Sequence, residues 1–156
     1  MKRDPQDLAD CLAARPGERV LDAGCGAGLA SARLAASGAR VTGVDSNPVV
    51  LEQARLAAPE ASFVCAGILA WNGAEEFDAI LAGGLLHWLP APSYGLDRLA
   101  RLLRPGGRLV AETGGAGAPA LAAKTLDAAL KQAGFGRVEW LPAPEGRIRI
   151  RAWRPE

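Results

Sequence analysis

The sequence predicts a doubly wound α/β fold, with helices on both faces of a mostly parallel, seven-stranded sheet that includes an antiparallel last strand. Short apolar runs of strand type alternate with helix-type stretches along nearly the whole chain. Parallel neighbours need long crossover links, and right-handed crossovers place helices on both faces of a sheet. Only the last two strand-type runs are joined by a link, PAPEG, that is too short for a crossover, so they must form an antiparallel hairpin.

The predicted strands are short and apolar, as strands buried in a parallel sheet are. In chain order they are Arg19–Ala23, Arg40–Val44, Ala61–Cys65, Phe77–Ala82, Arg108–Thr113, Arg137–Leu141 and Arg147–Trp153. The fifth strand follows the turn-forming residues Pro105, Gly106 and Gly107.

The predicted helices begin and end at residues that favour helix termini. An opening helix is expected to start at Asp4 and Pro5 and to end before Pro16 and Gly17. Gly38 would end the second helix, and the segment 46–48 (Ser-Asn-Pro) supplies the cap and first turn of the third. The second to fifth helices are Leu29–Ser37, Val49–Ala58, Tyr94–Leu103 and about Pro119–Ala133.

Length and composition indicate one globular domain over residues 1–156. Eighteen basic and seventeen acidic residues leave a net charge of +1, which argues against nucleic acid as a general partner. The charged start of the chain argues against an export signal. The longest uncharged run, Ala79–Leu96, is broken by glycines and prolines, so we expect no membrane span.

The three cysteines, Cys11, Cys25 and Cys65, are widely spaced and include no CxxC pair. This pattern fits neither a disulfide framework nor a metal site. We expect all three to be small buried thiols of a protein that resides in a reducing cytoplasm.

A glycine-rich segment, VLDAGCGAG, covers the end of the first strand and the turn that follows it. Gly24, Gly26 and Gly28 lack Cβ atoms at this turn, so a ligand can approach main-chain amides directly, although such glycines also serve tight packing. Ligands of open α/β sheets bind beyond the carboxyl ends of strands where the strand order reverses, which is where this turn falls. The segment therefore predicts a site for a nucleoside-containing cofactor.

Asp45 supports this prediction, because it ends the second strand about twenty residues past the glycines, where a carboxylate can accept both ribose hydroxyls. The alternative is an Asp that only caps the next helix. A dinucleotide site matches less well. The third glycine of its motif would fall at Leu29, and Asp22 would repel a pyrophosphate while suiting a cationic or hydrogen-bond-donating ligand.

Four segments in order, VLDAGCGAG, VTGVDSNP, FDAILAGGLLHWL and LLRPGGRLVAE, resemble the class I S-adenosylmethionine-dependent methyltransferases. The resemblance covers nearly the whole chain and implies the Rossmann-like fold of that family, with S-adenosylmethionine as methyl donor and S-adenosylhomocysteine as product. The runs LHWL and AETGGAG are most similar to the small-molecule branch that includes the trans-aconitate methyltransferases. The implied function is methyl transfer to a small or carrier-bound acceptor.

The resemblance also implies roles for individual residues. Gly24, Cys25 and Gly26 would line the methionine and ribose side of the donor, and Asp45 would hold the ribose. Ser46 would flank the adenine.

Further implied positions lie after the third and fourth strands. Ile68 would pack on the adenine, while Ala82, Gly83 and His87 would close the methionine end. Family members usually carry an acidic residue and an Asn where this sequence has Gly67 and Gly83. The two missing hydrogen bonds, at about 1 kcal/mol each, would weaken donor binding.

His87, the only histidine, could act as a base for a neutral acceptor or could simply shape the pocket floor. Trp71, Trp88 and Tyr94 could stack on a planar acceptor, although isolated aromatic residues in such segments most often belong to the core.

Two further features bear on partners. Short segments before the opening helix and after the fifth strand predict an open site. That site would take a large acceptor, be completed by a second copy of the chain or a protein partner, or belong to a catalytically silent donor-binding module with a regulatory role.

The last strand carries three alternating arginines, Arg147, Arg149 and Arg151. We expect them to form a solvated face, with an acidic partner or substrate as the alternative.

Overall fold

A computed structural model of the chain describes residues 7–73, 76–89, 91–115, 117 and 121–156. The strands are β1 (Arg19–Ala23), β2 (Arg40–Asp45), β3 (Ser62–Cys65), β4 (Phe77–Ala82), β5 (Leu103–Gly114), β6 (Arg137–Leu141) and β7 (Arg147–Trp153). The helices are α1 (Leu8–Leu12), α2 (Leu29–Ala36), α3 (Pro48–Ala57), α4 (Pro92–Leu102) and α5 (Ala123–Gln132), with a 3₁₀ helix at Leu86–Trp88.

The seven strands form one sheet in the order β3-β2-β1-β4-β5-β7-β6. Neighbours among β1 to β5 pair in parallel, whereas β7 pairs antiparallel with both β5 and β6. The predicted fold, including the antiparallel last strand, is therefore confirmed. The strand order reverses between β1 and β4, so the ends of these strands border the crevice where ligands of such sheets bind.

The core lies on both faces of the sheet. Alternate residues of the central strands point to opposite faces, as the two-residue period of a strand requires. Leu21 and Ile80 join the buried cluster that includes residues of α4 and α5, whereas Val20 and Leu81 join the cluster that includes residues of α1 and α2. Within the described residues, none of the helices has the length and apolar character needed to cross a bilayer.

Strand β5 is longer than predicted. It begins at Leu103, which pairs with Phe77, and the register then shifts so that Arg108 pairs with Ala79. Gly107 permits this irregularity, because a Cβ there would lie 2.9 Å from the carbonyl oxygen of Arg104. The Pro-Gly-Gly segment is thus part of the strand rather than a turn before it.

The opening helix α1 begins at Leu8, after Asp7, whose carboxylate accepts a hydrogen bond from the Ala9 amide at 2.9 Å. The predicted start at Asp4 and Pro5 lies outside the described residues. The helix ends at Leu12, before the predicted stop, because Ala13 adopts a left-handed conformation with φ +50°. For the fifth helix, the predicted start at Pro119 also lies outside the described residues.

Candidate functional site

A first cavity, of about 590 Å³, opens at the carboxyl ends of β1 and β2. Its wall comes from four segments of the chain. The described residues that line it are Gly24, Gly26, Val44, Asp45, Ser46, Asn47, Val50, Ala66, Gly67, Ile68, Gly84, Leu85, Trp88 and Leu89.

The glycine turn exposes its main chain to this cavity. Gly24, Gly26 and Gly28 all have positive φ, at +73°, +54° and +85°. A Cβ at Gly26 would meet nothing within 4 Å, whereas one at Gly28 would lie 2.7 Å from the Cα of Ala54 in α3. Gly26 therefore leaves open space for a ligand, while Gly28 serves close helix packing.

Asp45 stands in the wall of the first cavity with its carboxylate held by two main-chain amides. Oδ2 accepts from the Gly26 amide at 3.0 Å, and Oδ1 accepts from the Asn47 amide at 2.9 Å. The N-cap of α3 is Asn47, whose side chain accepts from the Val49 amide, so Asp45 is not the helix cap. These contacts link the carboxylate to the glycine turn.

A second cavity, of about 510 Å³, lies beside the first one. Its walls come from α1, the start of α2, the ends of β1, β4 and β5, and the start of β7. The described residues that line it are Asp7, Leu8, Ala9, Asp22, Gly24, Cys25, Leu29, Ala30, Arg33, Leu81, Gly83, Gly84, Glu112 and Arg147. The two cavities share Gly24 and Gly84.

Asp22 lines the second cavity and is only 3% exposed. Burial raises the pKa of its carboxyl to about 6, opposed by the hydrogen bond that Ser31 Oγ donates at 2.6 Å and assisted by the negative charge of Asp45. Burial, together with Asp22 and Asp45, raises the pKa of the neighbouring Cys25 thiol to about 12. Cys25 is therefore a protonated thiol near neutral pH rather than a nucleophile.

A buried ion-pair cluster forms part of the wall of the second cavity. Glu112 is 2% exposed. Its Oε2 accepts two hydrogen bonds from Arg149, at 2.9 and 2.7 Å, and its Oε1 accepts one from Arg147 at 2.8 Å. Arg149 is 5% exposed, and Arg151 is partly buried and pairs with Glu139. The predicted solvated face is therefore wrong for Arg149 and Arg151, whereas Arg147 is exposed. Strand β7 lies between β5 and β6, and its arginines meet carboxylates on both neighbours.

The structure places most predicted site residues at one of the two cavities. Six of them, Gly24, Gly26, Asp45, Ser46, Gly67 and Ile68, line the first cavity, and Asp22, Cys25 and Gly83 line the second, together with Gly24.

Ala82 and His87 are not among the described residues that line either cavity. Ala82 is fully buried. His87 is partly buried with its ring 5.2 Å from that of Trp88, and its Nδ1 is enclosed without a hydrogen-bond partner among the described residues. The roles suggested for these two residues stay predictions.

Two predictions about burial need correction. Cys65 is exposed, unlike Cys11 and Cys25, because it ends the edge strand β3. Trp71 packs against the core as expected, whereas Trp88 is 71% and Tyr94 65% exposed. Trp88 lines the first cavity, since the 3₁₀ helix carries it to the rim.

Sequence reasoning missed the apolar rim residues Leu85 and Leu89, and it missed the contribution of α1 to the second cavity. A Cβ at Gly83 would lie 3.1 Å from the side chain of Leu8 in α1. The LHWL run signalled the rim, but no sequence signal indicated that α1 packs over the ends of β4 and β5.

Comparison with known families gives a match to the methyltransferase domain family over residues 21–111, more than half of the chain. Among curated relatives, the ubiquinone biosynthesis O-methyltransferase of Alkalilimnicola ehrlichii is 36% identical over 112 residues, covering 68% of this chain and 45% of the relative. Trans-aconitate 2-methyltransferase of Escherichia coli is 39% identical over 97 residues, covering 61% of this chain and 38% of the relative. The chain thus spans less than half the length of these relatives.

A similar solved structure is that of Burkholderia thailandensis 1,6-didemethyltoxoflavin-N1-methyltransferase, determined with bound 1,6-didemethyltoxoflavin and S-adenosylhomocysteine. It is 27% identical, with a TM-score of 0.76, and the match covers 97% of this chain and 78% of that chain. The crevice described above therefore belongs to a fold that binds the demethylated donor in a relative.

Proposed function

Because the chain belongs to the class I S-adenosylmethionine-dependent methyltransferases, we propose that it transfers a methyl group from S-adenosylmethionine in the first cavity to a small or carrier-bound acceptor in the second. The observation that carries this proposal is the junction of the two cavities at Gly24 and Gly84. Neither residue has a side chain, so groups bound on the two sides can approach each other there.

The residues of the first cavity fit the chemistry of the donor. The Asp45 carboxylate can accept hydrogen bonds from a vicinal diol, and Gly26 and Gly67 leave open space where a Cβ would meet nothing within 4 Å. Ile68 and Val50 supply an apolar surface for a purine ring. Asp22 lines the second cavity, two residues before the shared Gly24, and would carry the negative charge that an ammonium group requires.

S-adenosylmethionine, when bound, would supply an electrophilic methyl group; the acceptor would attack the methyl carbon in line as the S–CH3 bond breaks, and S-adenosylhomocysteine would leave. The protein's own residues orient the reactants and exclude water, which is the main source of rate enhancement for such a displacement. The main chain of Gly24 and Gly84 borders both reactants, and Leu85 and Leu89 form an apolar rim.

The acidic groups of the second cavity are already engaged. Cys25 is a protonated thiol, and Glu112 is held by two guanidinium groups. Among the described residues that line the second cavity, the other two carboxylates already accept hydrogen bonds, Asp22 from Ser31 and Asp7 from the Ala9 amide. An acceptor atom that is already a nucleophile at neutral pH needs no base, so we propose such an acceptor. His87 would act as a base only if its ring turned toward the second cavity.

The alternative function is a catalytically silent donor-binding module that acts as a partner or regulatory subunit. Gly67 favours it, since this residue offers no side chain to the adenine amino group. The exposed rim around Trp88 supports completion of the site by a second copy of the chain or another protein.

The three unpaired thiols support our proposal that the protein resides in a reducing cytoplasm. We also propose that residues 1–156 form one domain.

Calorimetric titration with S-adenosylmethionine, S-adenosylhomocysteine and NAD tests the donor. We expect both sulfur ligands to bind and NAD not to bind. Asp45→Ala should weaken donor binding by about ten- to a hundredfold, because hydrogen bonds to a charged acceptor contribute roughly 1.5 to 3 kcal/mol. Glu52→Ala, an exposed change on the neighbouring helix, is the matched control. Donor affinity that is unchanged in Asp45→Ala would refute the ribose role of Asp45.

Transfer of radiolabel from methyl-labelled donor to a panel of metabolites separates the two functions. Turnover of any acceptor that falls in Asp45→Ala supports the enzyme. Tight donor binding without turnover across the panel supports the silent module.

A further inference from the structure

A third cavity, of about 310 Å³, lies near the amino end of β1 and the carboxyl end of β7, at the other end of the strands from the first cavity. It is bordered by the end of α1, the loop before β1, the start of β5 and the end of β7, where Arg108 and Trp153 are paired. Methyl transfer as proposed above makes no use of this cavity. We call it the basic cavity because of its lining.

Four arginines line the basic cavity, namely Arg15, Arg104, Arg108 and Arg151, against one carboxylate, Glu18. The hydrogen bond from Arg108 holds the pKa of Glu18 below its usual range, so this carboxylate is ionised at neutral pH. The lining therefore carries three more positive than negative charges.

Three carboxylates outside the cavity offset this excess charge, so anion binding depends on which N–H donors they leave available. Asp78 pairs with Arg104 at 2.5 Å, and Glu139 pairs with Arg151 at 3.2 Å. The side chain of Glu156 lies beside Gly106 at the rim.

Arg15 is the cation that these carboxylates do not reach. Its main-chain amide donates to Glu18, but within the described residues its exposed guanidinium has no hydrogen bond or ion pair. Arg104 uses Nε on Asp78 and Nη1 on the carbonyl of Pro105, so its Nη2 is a further donor for a ligand. An oxyanion entering the cavity would meet donors that the protein itself leaves available.

We propose that the basic cavity binds the phosphoryl group of a small phosphorylated molecule. Guanidinium groups present planar forks of N–H donors that match phosphate oxygens. A concave site of this size suits a small molecule rather than an extended backbone, and the net charge of +1 gives the chain no broad basic surface for nucleic acid.

The basic cavity is linked to the second cavity through α1. Arg108 donates from Nε to the carbonyl of Leu12 at 2.8 Å and from Nη2 to that of Ala13 at 2.9 Å. Arg151 donates from Nη2 to the carbonyl of Cys11 at 2.6 Å. A phosphoryl group would compete for these same donors.

The other end of α1 lines the second cavity through Asp7, Leu8 and Ala9. Because α1 has only five residues, a change at its carboxyl end reaches this wall. Occupancy of the basic cavity therefore loosens α1 and weakens acceptor binding. This link rests on the proposed function, whereas phosphoryl binding does not.

Calorimetric titration of the full chain with phenyl phosphate, in a phosphate-free buffer, tests the site. We expect saturable binding that Arg15→Gln weakens at least tenfold, because the substitution removes a charge-assisted hydrogen-bond donor. Arg55→Gln, which removes an exposed arginine of α3, should leave the affinity unchanged. Absence of binding, equal binding by the two variants, or preference for a glutamate-rich peptide or an RNA oligonucleotide over phenyl phosphate would overturn the proposal.

Hydrogen exchange tests the link without any acceptor. Amides of residues 8–12 should exchange at least twofold faster with phenyl phosphate bound, and this change should disappear in Arg15→Gln. Unchanged exchange at saturation would overturn the link to α1. Donor affinity is measured separately and tests the proposed function. The two proposals can therefore fail independently of each other.

Discussion

The first and second cavities adjoin but are built in different ways. The first is formed by strand ends, turns and the 3₁₀ helix, each of which brings its own short segment of sequence. The second joins segments far apart in the sequence, because α1 with its N-cap Asp7 and Arg147 of β7 both line it beside the buried Glu112. If the first cavity binds the donor and the second the acceptor, as we propose, donor recognition depends on local segments of sequence, whereas acceptor recognition depends on tertiary packing.

The largest expected effect comes from the ion-pair cluster of the second cavity. Arg149→Gln should lower the free energy of unfolding by about 3 to 5 kcal/mol, because it leaves the buried carboxylate of Glu112 without its main partner. Urea titration followed by circular dichroism measures the loss. Donor affinity of the remaining folded protein should stay unchanged, as the first cavity contains none of these residues.

Arg147→Gln is the matched control for this change. Arg147 binds the same carboxylate, but 40% of its side chain is exposed, so its removal should cost no more than about 1 kcal/mol. Equal losses in the two variants would contradict the view that burial of Arg149 determines the strength of the cluster.

The difference in how the two cavities are built also explains what could be predicted from the sequence. The bounds of β1, β4, β6 and β7 were predicted because each strand is a short apolar or alternating run with clear flanking residues. Most predicted donor-site residues lie in the first cavity or at its junction, because the glycine turn and Asp45 form a local pattern. This part of the molecule is determined by neighbours in sequence.

Long-range packing could not be predicted. The alternation of Arg147, Arg149 and Arg151 is the pattern of a strand with one solvated face, and only the position of β7 between two strands that carry Glu112 and Glu139 reverses that conclusion. Exposure of Trp88 likewise follows from the 3₁₀ helix, which has no strong sequence signature.

Two glycines of the turn after β1, Gly28 and Gly26, are expected to have different roles. Gly28→Ala should destabilise the fold by about 2 to 5 kcal/mol, because the left-handed conformation costs an L residue roughly 1 to 2 kcal/mol and overpacking against Ala54 adds about 1 to 3. Gly26→Ala carries only the conformational cost, since its Cβ meets open space. Thermal unfolding should rank the variants in this order.

Donor titration should reverse that ranking. Gly26→Ala places a methyl group where the main chain borders the first cavity, so it should weaken donor binding at least tenfold at a temperature where the variant is folded. Similar stability of both variants, or full donor affinity in Gly26→Ala, would show that the two glycines are not specialised in this way.

The last effect depends on pH and arises at Asp22 in the second cavity, where burial raises the pKa of the carboxyl to about 6. The folded state then binds a proton more tightly than the unfolded state, so the Asp22 contribution to stability falls as pH rises from about 4 to about 6 and is constant above that. Asp22→Asn removes this titration and keeps an acceptor for Ser31. In urea titrations without donor, the variant should be nearly as stable as the parent at pH 4 and more stable by roughly 2 to 3 kcal/mol at pH 7. A stability difference that does not vary with pH would show that the buried carboxyl titrates as it does in the unfolded chain.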